Sequence, residues 1–217
     1  MFIPKDFRMS DFEPVKDFIQ QTVLANIVAS QNDVIEICPV PLLWQDDGSE
    51  FGCLIGHVAK MNPIVQYLGL GKNCKVIFND NGHYISPNWY PSKAETHKEV
   101  PTWNYQSVQL TATPTLYHDA DMIKGIIGDM TDFFEAQFSQ SPFSPWSLAD
   151  APSEYIEAMC RALVGFKLDI VSFEAKFKLS QNKSLDNQNG VIKGLQKVDT
   201  ANAKAMATLV NKHCGSC

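Results

Sequence analysis

Residues 22–43 read TVLANIVASQNDVIEICPVPLL. Two apolar, β-branched runs, 22–30 and 34–43, flank Gln31-Asn32-Asp33. β-Branched side chains suit a pleated surface, and Asn and Asp tolerate the backbone of a tight turn. The stretch therefore reads as two antiparallel strands joined by a short hairpin connection. Pro39 and Pro41 stand two apart, so both missing N–H groups face the same way, which suits a sheet edge or a break.

The same punctuation recurs outward from this hairpin. Asp46-Asp47-Gly48 is a turn before a third strand at 51–58. A fourth strand at 74–79 meets the hairpin signal Asn81-Gly82 and a fifth begins at 83–86. A long loop with three prolines, 87–101, leads to an alternating sixth strand at 103–113, and a last strand covers 161–173. Helical spacing marks 11–21, a short helix opened by Asn62 and Pro63, then 119–138, 153–160, and 186–213 with an interruption at Gly190. Residues 141–152 read as loop. A doubly wound parallel sheet needs a helix between successive strands, and this order lacks them. The reading is mainly β with peripheral helices, a closed or half-open antiparallel barrel over 1–185 with a helical tail, 186–217, packed on it.

The 217 residues are 45 % hydrophobic and 19 % charged, a globular composition that excludes disordered and low-complexity classes. Net charge is 18 − 24 = −6. Residues 1–150 carry 9 Lys/Arg and 18 Asp/Glu, giving −9, and residues 151–217 carry 9 and 6, giving +3. That balance does not support a DNA partner, apart from a local row formed by Lys193, Lys197, Lys204 and Lys212. No apolar run reaches the ~20 residues that span a bilayer. The opening Met1-Phe2-Ile3-Pro4-Lys5-Asp6 lacks a leader pattern, so a cytoplasmic protein is expected. The cysteines are scattered as small hydrophobes, and the terminal Cys214/Cys217 pair completes no metal site.

Three stretches carry candidate chemistry. Residues 83–105 (HYISPNWYPSKAETHKEVPTWNY) interleave Tyr84, Trp89, Tyr90, Trp103 and Tyr105 with Ser86, Ser92, Lys93, Thr102 and Asn104. Five aromatics in so loop-rich a stretch either cap a barrel end or fill a dimer interface, or they wall a planar ligand whose anionic end meets Lys93. In 56–63 (GHVAKMNP) a strand feeds a helix start beside Lys60 and Asn62, a place for an anion. In 176–183 (KFKLSQNK) composition alone favours a solvated basic face over a phosphate-facing patch. Phosphate-loop, dinucleotide-fingerprint and nucleophile-elbow motifs are absent from the sequence.

In order along 1–195, these segments resemble the PaiB family, FMN-binding negative transcriptional regulators related to the pyridoxamine-phosphate-oxidase-like split barrels. The matching stretches are Met1-Phe2-Ile3-Pro4-Lys5 with Phe7, Val40-Pro41-Leu42-Leu43, 56–63, Tyr84 through Tyr90 with Ser92-Lys93, and Val100 through Tyr105. Val164-Gly165-Phe166, Lys176 through Asn182, and Gly190-Val191 with Leu195 complete them. The resemblance implies a six-stranded antiparallel split β-barrel of the FMN-binding type, a homodimer, and FMN or a related small molecule as ligand. It implies a flavin site drawn from Lys60, Asn62, Ser86, Trp89, Tyr90, Lys93, Thr102, Trp103 and Asn104. Pro39 stands where the family usually has His, and Lys60 where it has Arg. A flavin-dependent oxidoreductase on the same barrel is the alternative, since the flavin carries the chemistry; a haem-binding barrel using His57, His83 or His97 is a weaker one.

Overall fold

In the computed structural model, which describes residues 1–139 and 144–214, the elements begin with β1 (Arg8–Met9), α1 (Phe12–Thr22), β2 (Leu24–Gln31), β3 (Val34–Pro41) and β4 (Leu43–Gln45). Then come β5 (Cys53–Ala59), α2 (Ile64–Leu68), β6 (Cys74–Asn79), β7 (His83–Ile85), α3 (Ser92–Thr96) and β8 (Thr102–Tyr117). The chain ends with α4 (Ala120–Phe138), α5 (Ser153–Arg161), β9 (Leu163–Lys178), α6 (Leu185–Val198) and α7 (Ala201–Lys212). Six strands have six or more residues; β1, β4 and β7 have two or three and are too short to leave a periodic signal. Residues 141–143 of the expected loop and Cys217 of the expected tail pair lie outside the described residues. Among those described, no helix is long and apolar enough to cross a membrane.

The chain forms two compact units. One gathers Met1–Asp11, Asn79–Val108 and Glu174–Cys217; the other gathers Phe12–Phe78 and Gln109–Phe173. The strands that build the second unit follow the order β3-β2-β6-β8-β9-β5-β4. The hairpin forms as read: β2 and β3 pair from Leu24↔Pro41 to Gln31↔Val34, and the turn residues Asn32 and Asp33 sit at φ 48° and 64°. The proline-bearing β3 ends the strand order, because its missing donors face no neighbour there. In α1, Val15, Phe18 and Ile19 are buried, as their spacing requires. In α4, Asp119 caps the helix by accepting from the Asp121 and Met122 N–H groups at 3.1 Å. Its inner face, Ile126 and Met130, packs with Leu43, Cys53 and Ile55.

Cys38, Cys53, Cys74 and Cys160 are buried and free. Burial pushes the Cys53 and Cys74 thiols up to about 11, which suppresses the reactive thiolate. A thiol reagent at pH 8 is therefore expected to label Cys214 in the native protein and to reach those four only on unfolding. Peptide mapping checks this, and fast labelling of Cys53 or Cys74 would contradict their burial.

The first unit corrects several expectations. Asn81-Gly82 does not join a fourth and fifth strand into a ladder: β7 pairs with β8, from His83↔Asn104 to Ile85↔Thr102. Asp80 Oδ1 accepts the Gly82 N–H at 2.9 Å, so the signal makes an Asx turn. The expected loop 87–101 contains a single 3-10 turn, Pro87–Trp89, and α3. Residues 186–213 are interrupted at Asp199, whose φ is 59°, with Thr200 capping α7, and not at Gly190. Lys193 and Lys197 thus lie on α6 while Lys204 and Lys212 lie on α7, so the expected basic row is split.

Gly190 lies inside α6, at a point where nothing larger fits. A Cβ there would overlap the Trp89 carbonyl oxygen and come within 2.8 Å of Pro91 Cδ. One turn on, a Cβ at Gly194 would overlap the Trp89 ring. The two glycines make a notch in α6 that holds Trp89 and fixes the aromatic segment.

Candidate functional site

Three parts of the first unit line one cavity of about 170 Å³: Tyr90, the start of β8 at Thr102 and Asn104, and the end of β9 with its following turn, Lys178 to Lys183. Along β9, Phe177 and Leu179 are buried, so Lys176 and Lys178 share the opposite face by the two-residue period. Lys178 is half-buried, and its ammonium faces no carboxylate among the described residues. Nζ donates to Thr102 Oγ1 and, at 2.7 Å, to the Trp103 carbonyl. Burial, then the charges of Lys176 and Lys183, hold its pKa below the ordinary lysine value.

The rest of the wall is polar and ordered. Asn104 is 1 % exposed, and its Nδ2 donates to Ser180 Oγ at 2.9 Å. Ser180 adopts φ 68°, a left-handed backbone that costs energy for a residue with a Cβ. Leu179 N–H donates to Gln181 Oε1 at 2.7 Å, which fixes the turn. Tyr90 is 2 % exposed, and its hydroxyl has no hydrogen-bond partner among the described residues. Burial, then the Glu99 charge, raises its pKa, so it remains a phenol donor at neutral pH.

Glu99 latches the loop to α6. It accepts from Lys183 Nζ at 2.6 Å, Ser92 Oγ at 2.9 Å and Asn187 Nδ2 at 3.3 Å. Asn187 Oδ1 in turn accepts the Ser92 N–H at 3.2 Å. The hydrogen bonds from Lys183 and Ser92 hold the Glu99 carboxyl below its ordinary 4.5. A carboxyl with a lowered folded-state pKa adds stability that is complete above the unfolded value and lost as pH falls through the folded one. Amide exchange over 92–99 is therefore expected to rise selectively below pH 4.5 and not between pH 6 and 8. A uniform rise across the chain would mean that the latch does not act locally.

The structure places the expected site residues unevenly. Tyr90, Thr102 and Asn104 line the cavity. Ser86 Oγ caps the 3-10 turn by accepting from Asn88 N–H at 3.2 Å, and Lys93 Nζ donates to Asn88 Oδ1. Trp89 is half-buried in the α6 notch. Trp103 is 55 % exposed and meets Tyr84, 43 % exposed, edge to face with ring centroids 6.1 Å apart. Lys60 and Asn62 belong to the second unit. Lys60 is exposed, and Asn62 uses Oδ1 to accept the Ile64 N–H at 3.0 Å and Nδ2 to approach Cys38 Sγ at 3.4 Å. Lys178, Ser180 and Lys183 fall in the stretch 176–183, which composition alone favours as a solvated basic face over a phosphate-facing patch; the structure puts them in the cavity wall, joined by Glu99 and Asn187, which carry no site expectation. The alternation Lys176-Phe177-Lys178-Leu179 is the signal that finds the lysine, since it makes one strand face basic and the other apolar.

Residues 1–172 match the family described as "Putative FMN-binding domain". The protein named Protease synthase and sporulation protein PAI 2, from Bacillus subtilis, is 26 % identical over 210 residues, covering 97 % of this chain and 96 % of its own. An uncharacterized protein of Aspergillus fumigatus is 30 % identical over 190 residues, covering 74 % of this chain and 72 % of its own. Among solved structures, the flavocytochrome Anf3 from Azotobacter vinelandii superposes with a TM-score of 0.55 at 17 % identity, over 79 % of this chain and 69 % of that one.

FMN presents a phosphate dianion, a hydroxylated chain and a planar ring system. The first unit supplies matching types: among the described residues, a phenol without a partner and an ammonium without a carboxylate, and beside them two exposed aromatic rings. The residues fit such a molecule, although 170 Å³ is below the ~300–1,000 Å³ of sites that enclose a drug-sized ligand, so the cavity suits an anionic end and not the ring. The match over residues 1–172 and the near full-length similarity to PAI 2 make this chain a member of the FMN-binding domain family, of the PaiB type, with its split-barrel fold.

Proposed function

We propose that the protein is a PaiB-type negative regulator of gene expression, a cytoplasmic homodimer whose activity follows FMN occupancy. The observation that carries the flavin part is the Tyr84–Trp103 pair, two large rings left exposed on the β7–β8 ladder where a planar ligand can stack. Ser86 and Lys93 are the proposed polar partners of the flavin beside the cavity residues of the same unit. Bound FMN would supply redox chemistry or serve as the signal. The net charge of −6 opposes direct approach to a phosphate backbone, so regulation is proposed to run through protein contacts. Leu24, Ile35 and Ile37, each more than half exposed on the β2–β3 hairpin, support the dimer, because monomeric proteins rarely leave such apolar surface to water.

The test is FMN uptake by the full chain, read from the flavin absorbance that survives gel filtration. Trp103→Ala is expected to weaken FMN about tenfold, since aromatic stacking contributes about 0.5–1.5 kcal/mol beyond area. A protein that takes up no FMN would defeat the flavin reading. Sedimentation velocity tests the assembly: Ile37→Lys is expected to give monomer, and a monomeric native protein would remove the dimer.

A further inference from the structure

We infer that the Tyr90–Lys178 cavity is an oxyanion seat, taking a phosphate or carboxylate group. Two independent features point to it. The Tyr90 hydroxyl is buried without a partner among the described residues, and an unmet polar group in a residue 2 % exposed is costly unless a ligand satisfies it. Lys178, on the same wall, uses two of its three donors on Thr102 Oγ1 and the Trp103 carbonyl and keeps the third. The surrounding charge is positive on balance. Lys176, Lys178 and Lys183 stand against the Glu99 carboxylate, which pairs with Lys183. Phenol and ammonium are both donors at neutral pH, so an oxyanion completes both and a cation completes neither. Lysine is a point charge and not a fork, so it accepts tetrahedral phosphate and planar carboxylate alike.

The source of the oxyanion is either the phosphate ester of a flavin or a free small anion. The first source rests on the flavin reading above; the seat itself does not. The same protein distinguishes the two. Inorganic phosphate, FMN and riboflavin are titrated calorimetrically into the full flavin-free chain, its Lys178→Gln and Tyr90→Phe variants, and the FMN-loaded protein.

Lys178→Gln is expected to weaken the oxyanion ligand about tenfold or more and Tyr90→Phe about threefold, with riboflavin unaffected in both. Tyr90→Phe is also expected to leave the melting point of the ligand-free protein unchanged or raised, because it deletes an unsatisfied hydroxyl. A structural tyrosine would instead lose stability. Phosphate displaced by FMN assigns the seat to the flavin ester. Phosphate bound equally with FMN present assigns it to a free anion. Lys178-dependent phosphate binding without any flavin uptake keeps the seat and ends the flavin reading. If neither phosphate nor FMN binding responds to either variant, or if neither ligand binds, the seat is overturned.

Discussion

Replacing Gly190 with alanine is expected to destabilise the protein by about 3 kcal/mol, although alanine is the better helix former by up to about 1 kcal/mol. The added methyl would overlap the Trp89 carbonyl oxygen and press on Pro91 Cδ at 2.8 Å. A backbone oxygen cannot rotate away as a side chain can, so relief requires moving either α6 or the 3-10 turn at Pro87–Trp89. Either movement pulls on the Ser92–Asn187–Glu99 latch and loosens the wall that carries Tyr90. At about 2–4 °C per kcal/mol for a chain of this size, the melting point should fall about 6–12 °C. Gly125 is the control. It also lies inside a helix, α4, but a Cβ there meets nothing within 4 Å. Gly125→Ala should therefore keep the propensity gain and raise the melting point slightly. Thermal unfolding by circular dichroism compares the pair, and a Gly190→Ala protein as stable as the native one would show that Trp89 is not held in the notch.

That contrast also marks how far the sequence is legible. Strands with six or more residues announce themselves, because β-branched alternation and turn residues such as Asn32-Asp33 are local. Pro39 and Pro41 even fix the edge, since a missing donor is a local fact with a topological consequence. Gly190 misleads for the converse reason. Read locally it breaks a helix, but its cause is Trp89, a hundred residues earlier in the chain, and only packing reveals it. The site divides in the same way. Tyr90, Thr102 and Asn104 are visible as polar and aromatic residues crowded into one segment. Lys178 reads as one more charge in a basic run until the strand places Phe177 and Leu179 inward and closes Thr102 over its ammonium. Glu99 and Asn187 carry no motif, and their role exists only through the bonds they make with Ser92, Lys183 and each other.

Phe166→Ala is expected to cost about 3–5 kcal/mol, and Gly56→Ala about 1–3 kcal/mol, with the double variant less damaged than their sum. Two sequence stretches that look unrelated, 56–58 and 164–166, face each other in the β5–β9 ladder as Gly56↔Phe166, His57↔Gly165 and Val58↔Val164. Phe166 is fully buried, and a Cβ on Gly56 would lie 2.7 Å from its Cζ and 2.8 Å from Leu42 Cδ2. The missing side chain on one strand is therefore the room that the other strand's ring occupies. Removing the ring leaves a cavity, and adding the methyl strains the ring, but the two changes together let the methyl enter the vacated space. Contacting residues typically couple by about 0.5–3 kcal/mol, and here the sign should be favourable. Urea unfolding of the four proteins in the cycle measures it. Strict additivity would mean that the strands part to admit the methyl instead of pressing it on the ring.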